Sequence, residues 1–165
     1  MTDYFLSNLD RFAVGAIGEV GGRIFLIQGV EGRRIVTVKV EKQQIAVLAT
    51  YLTRALDTMG RPGHLPEDLE VVLSPDSVID MVAGELSVAI DDESGTVEVA
   101  VESIEGDPPE DTATFMLSKE QAAAFAIKAT LLVEAGRPPC PLCGLPLDPR
   151  GHDCPRTNGH RAPIT

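Results

Sequence analysis

The chain has 165 residues, 44% of them apolar and 24% charged, with a net charge of −11. That size and balance exclude a wholly disordered chain and suit one domain with a small appendage. Residues 62–118 hold 15 of the 25 acidic side chains and none of the 14 basic ones, and the acidic total argues against general nucleic-acid binding.

From the N-terminus, Asp3 and Asp10 interrupt the first apolar residues, and no basic stretch precedes them. No secretory leader is read there. No run reaches the roughly 18 apolar residues of a membrane helix. A cytoplasmic protein with reduced thiols is expected. Aromatic residues make up 4% of the chain and Trp is absent, so the core must rest mainly on Val, Ile, Leu and Ala.

Phe12 to Gly15 begins an apolar segment that runs into Gly18, Gly21 and Gly22. A dinucleotide-binding glycine loop follows a strand and opens a helix. This run leads instead into another strand, Arg23–Gln28, and reads as a strand connection. Ile35-Val36-Thr37-Val38-Lys39-Val40 alternates with period two, as a half-buried strand does. From Glu41 the period changes. Ile45, Leu48, Ala49, Leu52 and Leu56 mark an amphipathic helix to about Met59, stopped by Gly60, Pro62 and Gly63. An irregular acidic connection covers residues 61–80, and His64 within it reads as a surface histidine.

Leu86–Ile90 and Val97–Val101 flank Asp91-Asp92-Glu93-Ser94-Gly95, the signature of a hairpin with a solvated acidic tip. Thr112–Leu117 is a third strand. Ser118 then caps a second helix, with Glu120 and Gln121 in its first turn and Ala122, Phe125, Ala126, Ala129, Leu132 and Val133 on its apolar face.

Three strands and a helix thus occur twice. Val38-Lys39-Val40-Glu41-Lys42-Gln43-Gln44 matches Phe115-Met116-Leu117-Ser118-Lys119-Glu120-Gln121 at an offset of 77, and Phe12-x-x-Gly15 is echoed by Met81-x-x-Gly84 at an offset of 69. The expected fold is α+β. Residues 1–136 form a duplicated βββα domain with halves near 12–59 and 81–135, in which one antiparallel sheet is backed by two helices. Residues 137–165 form a small zinc-binding tail. Such a pair of units resembles, in topology alone, the repeats of PUR-type and Whirly-type proteins, which bind single-stranded nucleic acid; fold by itself does not fix function.

The tail carries the sharpest motif, Cys140-Pro-Leu-Cys143-Gly144, followed by His152 and Cys154 and then by His160. Zn²⁺ takes four tetrahedral N and S ligands, and a C-x-x-C knuckle followed by Gly places two thiolates on one ion. Cys140, Cys143, His152 and Cys154 are the expected set, with His160 as the alternative fourth ligand. Four protein ligands leave no position for water, so the site is structural. A redox C-x-x-C would open a helix, and Pro141 with the glycines and prolines beyond it makes a poor one.

On these tail residues, together with Phe12-x-x-Gly15, Arg23-x-Phe25-x-x-Gln28 and Glu41-Lys42-Gln43-Gln44, the chain resembles an actinobacterial family of conserved hypothetical proteins with a domain of unknown function. The resemblance spans nearly the whole chain. It implies an actinobacterial cytosolic protein and brings no activity with it.

Arg23, Arg33, Arg34 and Lys39 lie in the first half and could form a polyanion-binding face, with Phe25 as a stacking residue. Solvating charges are the plainer reading. No Ser finds a His and Asp partner set, because two of the three histidines lie in the zinc tail. The sequence therefore points to a non-enzymatic, zinc-containing adaptor or regulator that binds a protein. Single-stranded nucleic-acid binding is the alternative, and an enzyme ranks third.

Overall fold

The structure is a computed structural model that describes residues 2–18, 22–60, 62–67, 71, 78–106 and 109–135. Within these lie β1 (Thr2–Leu6), β2 (Arg11–Ile17), β3 (Ile24–Glu31), β4 (Arg34–Val40), α1 (Lys42–Asp57), β5 (Met81–Asp91), β6 (Thr96–Ser103), β7 (Asp111–Ser118) and α2 (Lys119–Glu134). The class is α+β, with three strands and a helix occurring twice after β1. Residues 137–165, expected from the sequence to form a zinc-binding tail, lie outside the described residues.

The local chemistry follows the sequence pattern. In β6 and β7, Val97, Val99, Val101, Ala113, Phe115 and Leu117 turn inward at every second position and are buried. The α1 face formed by Ile45, Leu48, Ala49, Leu52 and Ala55 is buried. Ser118 caps α2 by accepting the Gln121 N–H, while the Gln121 side chain accepts the Ser118 N–H at 3.0 Å. Glu41 holds the same place before α1, and its N–H donates to Gln44 Oε1 at 2.7 Å. Phe12, Phe115 and Phe125 form the aromatic centre of the core. The Phe12 ring lies 5.1 Å from Phe115 and 4.7 Å from Phe125, tilted contacts that aromatic pairs favour.

The sheet has seven strands in the order β1-β7-β6-β5-β4-β3-β2. It is mixed rather than antiparallel, because β1 runs parallel to β7 and β4 parallel to β5. Laid flat, the end strands of such a sheet would stand about 29 Å apart. Yet β1 and β2 are joined by Ser7–Asp10 alone, a link that spans about 18 Å at most from Leu6 to Arg11. The sheet must therefore curl until its ends meet. A contact across the closure agrees: Arg34 Nη1 of β4 donates to the Phe5 carbonyl of β1 at 3.1 Å.

The chain from β1 into β2 acts as one long bent strand, pairing first with β7 and then with β3. β5 does the same within one element. It meets β4 only at Val38–Met81 and Lys39–Val82, kinks between Ala83 and Glu85, and pairs with β6 to Asp91. At each kink a helix glutamine holds the backbone: Gln121 Nε2 donates to the Leu9 carbonyl at 2.8 Å, and Gln44 Nε2 donates to the Gly84 carbonyl at 2.9 Å.

This register corrects one sequence alignment. Met81 pairs with β4 as Leu6 pairs with β7, so Met81 does not occupy the place of Phe12. Tracing the ladders, Gly29 faces Val36 and Val101 faces Ala113, with Phe12 opposite Gly29 and Leu86 opposite Val101. By ladder register Leu86 takes the place in β5 that Phe12 takes in β2, so the 69-residue echo does not follow the register of the sheet.

Candidate partner-binding groove

Each helix leaves its preceding strand and runs along a bent strand that has run out of strand neighbours. α2 lies along β2, and α1 lies along β5. At the first of these seams Phe125 from α2 fills the space over Phe12, and Phe12 and Val14 are both buried. At the second the corresponding strand residues, Leu86 and Val88, are only half-buried, and Ile90 is 37% exposed. The facing helix wall carries Val47 at 41% and Tyr51 at 44% exposure.

The result is an open groove between α1 and β5. It consists of two adjoining hollows of about 510 and 400 Å³ that share Tyr51 and Leu86. Arg54, Val88 and Ile90 line one hollow; Glu41, Val47 and Glu85 line the other. From Glu85 to Asp91, β5 has β6 on one side and, among the described residues, no strand on the other. Successive residues of a strand point their N–H and C=O groups to alternate sides, so about half of these groups face the groove.

The hairpin tip closes one end of the groove. Asp91 is committed there to the turn: its Oδ1 accepts the Glu93 and Ser94 N–H groups at 3.1 and 3.3 Å. Hydrogen bonds from the Ser94 side chain, then from the Ser94 backbone, hold the Asp91 carboxyl below the ordinary carboxylate value. Elsewhere, partial burial pushes the Tyr4 phenol up, aided by the nearby Asp80 and Asp111 carboxylates. That phenol is part of β1 and not of the groove.

The four basic residues singled out from the sequence do not come together. Arg33 and Arg34 sit at the turn between β3 and β4, whereas Arg23 and Lys39 belong to the opposite end of that hairpin, where Phe25 pairs with Val40 and Leu26 with Lys39. Arg34 and Lys39 also fall on opposite faces of β4 by strand alternation. Arg34 lies 3.9 Å from Glu31. Phe25 is 8% exposed and lies under the Arg23 guanidinium, 5.4 Å from its ring centre, so it offers no free face for stacking.

The proposed metal ligands Cys140, Cys143, His152 and Cys154, and the alternative His160, lie outside the described residues. Among the described residues no group of three or more His, Cys, Asp or Glu side chains could hold a metal ion. No described helix is long and apolar enough to cross a membrane. His64 is exposed in its loop. The groove escaped sequence reasoning because Leu86-x-Val88-x-Ile90 shows the same alternation as a fully covered strand.

Comparison with known families gives one match. A family model described as "Protein of unknown function (DUF3090)" matches residues 4–154. No curated protein and no solved structure matches the chain.

Proposed function

The chain belongs to the DUF3090 family of proteins of unknown function, and from that premise we propose that it is a non-enzymatic, zinc-containing adaptor or regulator that binds a protein partner. The observation that carries this reading is the α1–β5 groove. An apolar hollow beside an unpaired strand edge is a surface that monomeric proteins otherwise cover or blunt. The polar side chains that line it are Glu41, Gln43, Gln44, Tyr51, Arg54, Glu85 and Ser87, with no His or Cys among them.

Zinc belongs to the same proposal as a structural ion, one per chain, on Cys140, Cys143 and Cys154 with His152 or His160. Support comes from the C-x-x-C-G spacing and from thiolate chemistry. Actinobacterial origin and a cytosolic setting, where such thiols stay reduced, complete it. We also read the two halves as copies of one βββα unit. The 77-residue offset of the strand–helix junctions agrees with the ladder register that equates Val36 with Ala113. The matched Gln44 and Gln121 clamps support the same reading.

Single-stranded nucleic-acid binding through a PUR-like or Whirly-like sheet remains the alternative reading. It draws less support, because Arg23 and Lys39 stand apart from Arg33 and Arg34 and Phe25 is covered. Purification of the full chain from its native host, with and without nuclease, separates the two. A protein recovered at fixed stoichiometry after nuclease treatment supports the adaptor. Recovery of polynucleotide alone, released steeply by salt, transfers the reading to nucleic acid. Elemental analysis of the same material tests for one equivalent of zinc.

A further inference from the structure

We propose that the edge of β5 from Glu85 to Asp91, walled by α1, accepts an extended segment of the partner as an added strand, with apolar side chains at alternate positions and basic residues at its ends. This rests on the partner-binding reading above and names its mode. Strand addition needs an edge with unpaired N–H and C=O groups, pockets for alternate side chains, and room for a backbone about 4.8 Å from the edge strand. β5 supplies the edge, and the two hollows that meet at Tyr51 and Leu86 supply the pockets. Gln44 occupies the carbonyls of Ala83 and Gly84, which sets where the open edge begins.

Charge selects the occupant. Glu41 and Glu85 line one end of the groove, and Asp91, Asp92 and Glu93 follow Ile90 at the other, where they outnumber Arg54 beside Ile90 and Lys119 beside Asp92. Glu85 also faces Glu102 across the β5–β6 ladder, a like-charge pair that a cation would relieve. A second copy of this chain fits poorly. Two β5 edges paired about a two-fold axis would bring Glu85 of each against the acidic tip of the other, the kind of repulsion that protects edge strands from self-pairing. An extended segment with Lys or Arg at its ends meets attraction at both. Arg54 stands on the helix wall in the hollow that holds Val88 and Ile90, toward the acidic tip.

The test uses the full-length protein and nine-residue fluorescent peptides with Val at alternate positions and either Lys or Glu at both ends. Fluorescence polarisation should show the Lys-ended peptide binding about tenfold or more tightly than the Glu-ended one, with the preference shrinking as salt screens it. N-methylation along the Lys-ended peptide should weaken binding at every second residue, because only alternate N–H groups face β5. Tyr51→Ala should weaken binding about tenfold, the effect of one lost anchor. Tyr51 is a surface residue, and an unchanged melting temperature checks that the variant folds. No binding, equal binding of the two peptides, an N-methyl scan without a two-residue period, or unchanged affinity in Tyr51→Ala overturns strand addition. A partner recovered from the host that binds Tyr51→Ala as well as the wild type overturns strand addition and leaves the adaptor reading standing.

Discussion

The α2–β2 and α1–β5 seams are built to one plan and finished differently. Each has a helix leaving a strand, an N-terminal glutamine that satisfies its own cap and holds the kink of a bent strand, and a strand edge lying beside the helix. At the α2–β2 seam the strand presents Phe12 and Val14, and Phe125 covers them. At the α1–β5 seam the strand presents Leu86, Val88 and Ile90, and Leu48, at the position matching Phe125, is too short to reach across. Leu48 is itself 1% exposed, so α1 is properly docked by its own inner face. What is lost is only the outer closure. The helix positions differ at two places: Phe125 stands where α1 has Leu48, and Ala124, at the position matching Val47, is buried while Val47 is exposed.

The same contrast runs through the outer faces of the sheet. Across β2–β4 the middle of the outer face is buried: Ala13, Leu26, Gln28 and Thr37 are all below 3% exposure, while Ile17 and Ile35 at its margins are exposed. Gln28 Nε2 donates to Thr37 Oγ1 at 3.1 Å, and Val71 lies 3.0 Å from where a Gly15 Cβ would stand. Across β5–β7 the outer face carries Glu85, Glu98 and Glu102. The first half is the packed side of the molecule and the second the charged one. Of the acidic stretch, Glu85, Glu98 and Glu102 therefore lie on the charged outer face beside the open groove.

The largest expected effect tests the sealed seam directly. Phe125→Ala removes a buried ring that packs on Phe12 and should cost about 3–5 kcal/mol in denaturant unfolding, because it leaves a cavity among rings that cannot collapse. Tyr51→Ala at the open seam should cost under about 1 kcal/mol, as an exposed wall residue does. Equal losses at the two positions would erase the distinction between the seams.

A second test concerns how the curl is filled. A Cβ on Gly29 would stand 2.5 Å from the Phe115 ring and 3.2 Å from Leu9, so β3 gives way where the β7 side chain is largest. The corresponding positions in the other half are Val101 and Val38, two medium residues in place of one absent and one large. Gly29→Ala should cost about 1–3 kcal/mol by overpacking. Phe115→Val combined with Gly29→Val should recover part of that loss by imitating the other half, and failure to recover any would break the correspondence.

Much of this fold was legible in the sequence for reasons that can be named. The change from period two to period 3.6 at Glu41 and at Ser118 located both helices, and Ser118 with Gln121 announced the second cap. β1 was not legible, since Thr2–Leu6 is short, begins polar and reads as a fraying end. Its place is fixed by pairing with β7, more than 100 residues away, and no local pattern encodes that. The parallel β4–β5 junction was hidden likewise, because two ladder pairs leave no trace in alternation. The spread of the basic residues was not legible either: Arg34 and Lys39 are five positions apart in one strand, an odd spacing that sends them to opposite faces. The groove failed because Leu86, Val88 and Ile90 alternate as a covered strand does, and sequence periodicity cannot report how much of that face a neighbouring helix covers.

The paired glutamines sharpen the comparison at a smaller scale. Each serves its helix cap and a kink in a bent strand, so Gln44→Ala and Gln121→Ala should each cost about 1–2 kcal/mol. Their consequences should diverge in hydrogen exchange. Loss of Gln121 should leave β2 protected under Phe125, whereas loss of Gln44 should loosen β5 from Ala83 onward, where no helix aromatic holds it. Matching protection changes on β2 and β5 would show that the seams are equally well sealed.

The smallest expected effect lies at the end of the open groove. Asp91 holds the β5–β6 turn as a carboxylate, and hydrogen bonds from Ser94 and Glu93 lower its pKa from the model-compound value of 3.8. The sign follows from linkage. A carboxyl whose folded pKa is depressed contributes stability that is fully present above its unfolded value and is lost as pH falls through the lower folded value. Acidification from neutral pH to the ordinary carboxylate value should therefore leave the turn intact. Only below that value should the Glu93 and Ser94 amides lose protection and the tip loosen. The group is fully exposed, so global stability should barely register the change, and the readout is local: amide exchange or chemical shifts at residues 91–95 across an acid titration. Asp91→Asn keeps an acceptor oxygen but no charge, and it should abolish the pH dependence at the tip while leaving β2 and its sealed seam unaltered. A tip that loosens with the same acid profile in Asp91→Asn would assign the effect to Asp92 or Glu93 instead, and would remove Asp91 as the fixed end of the groove.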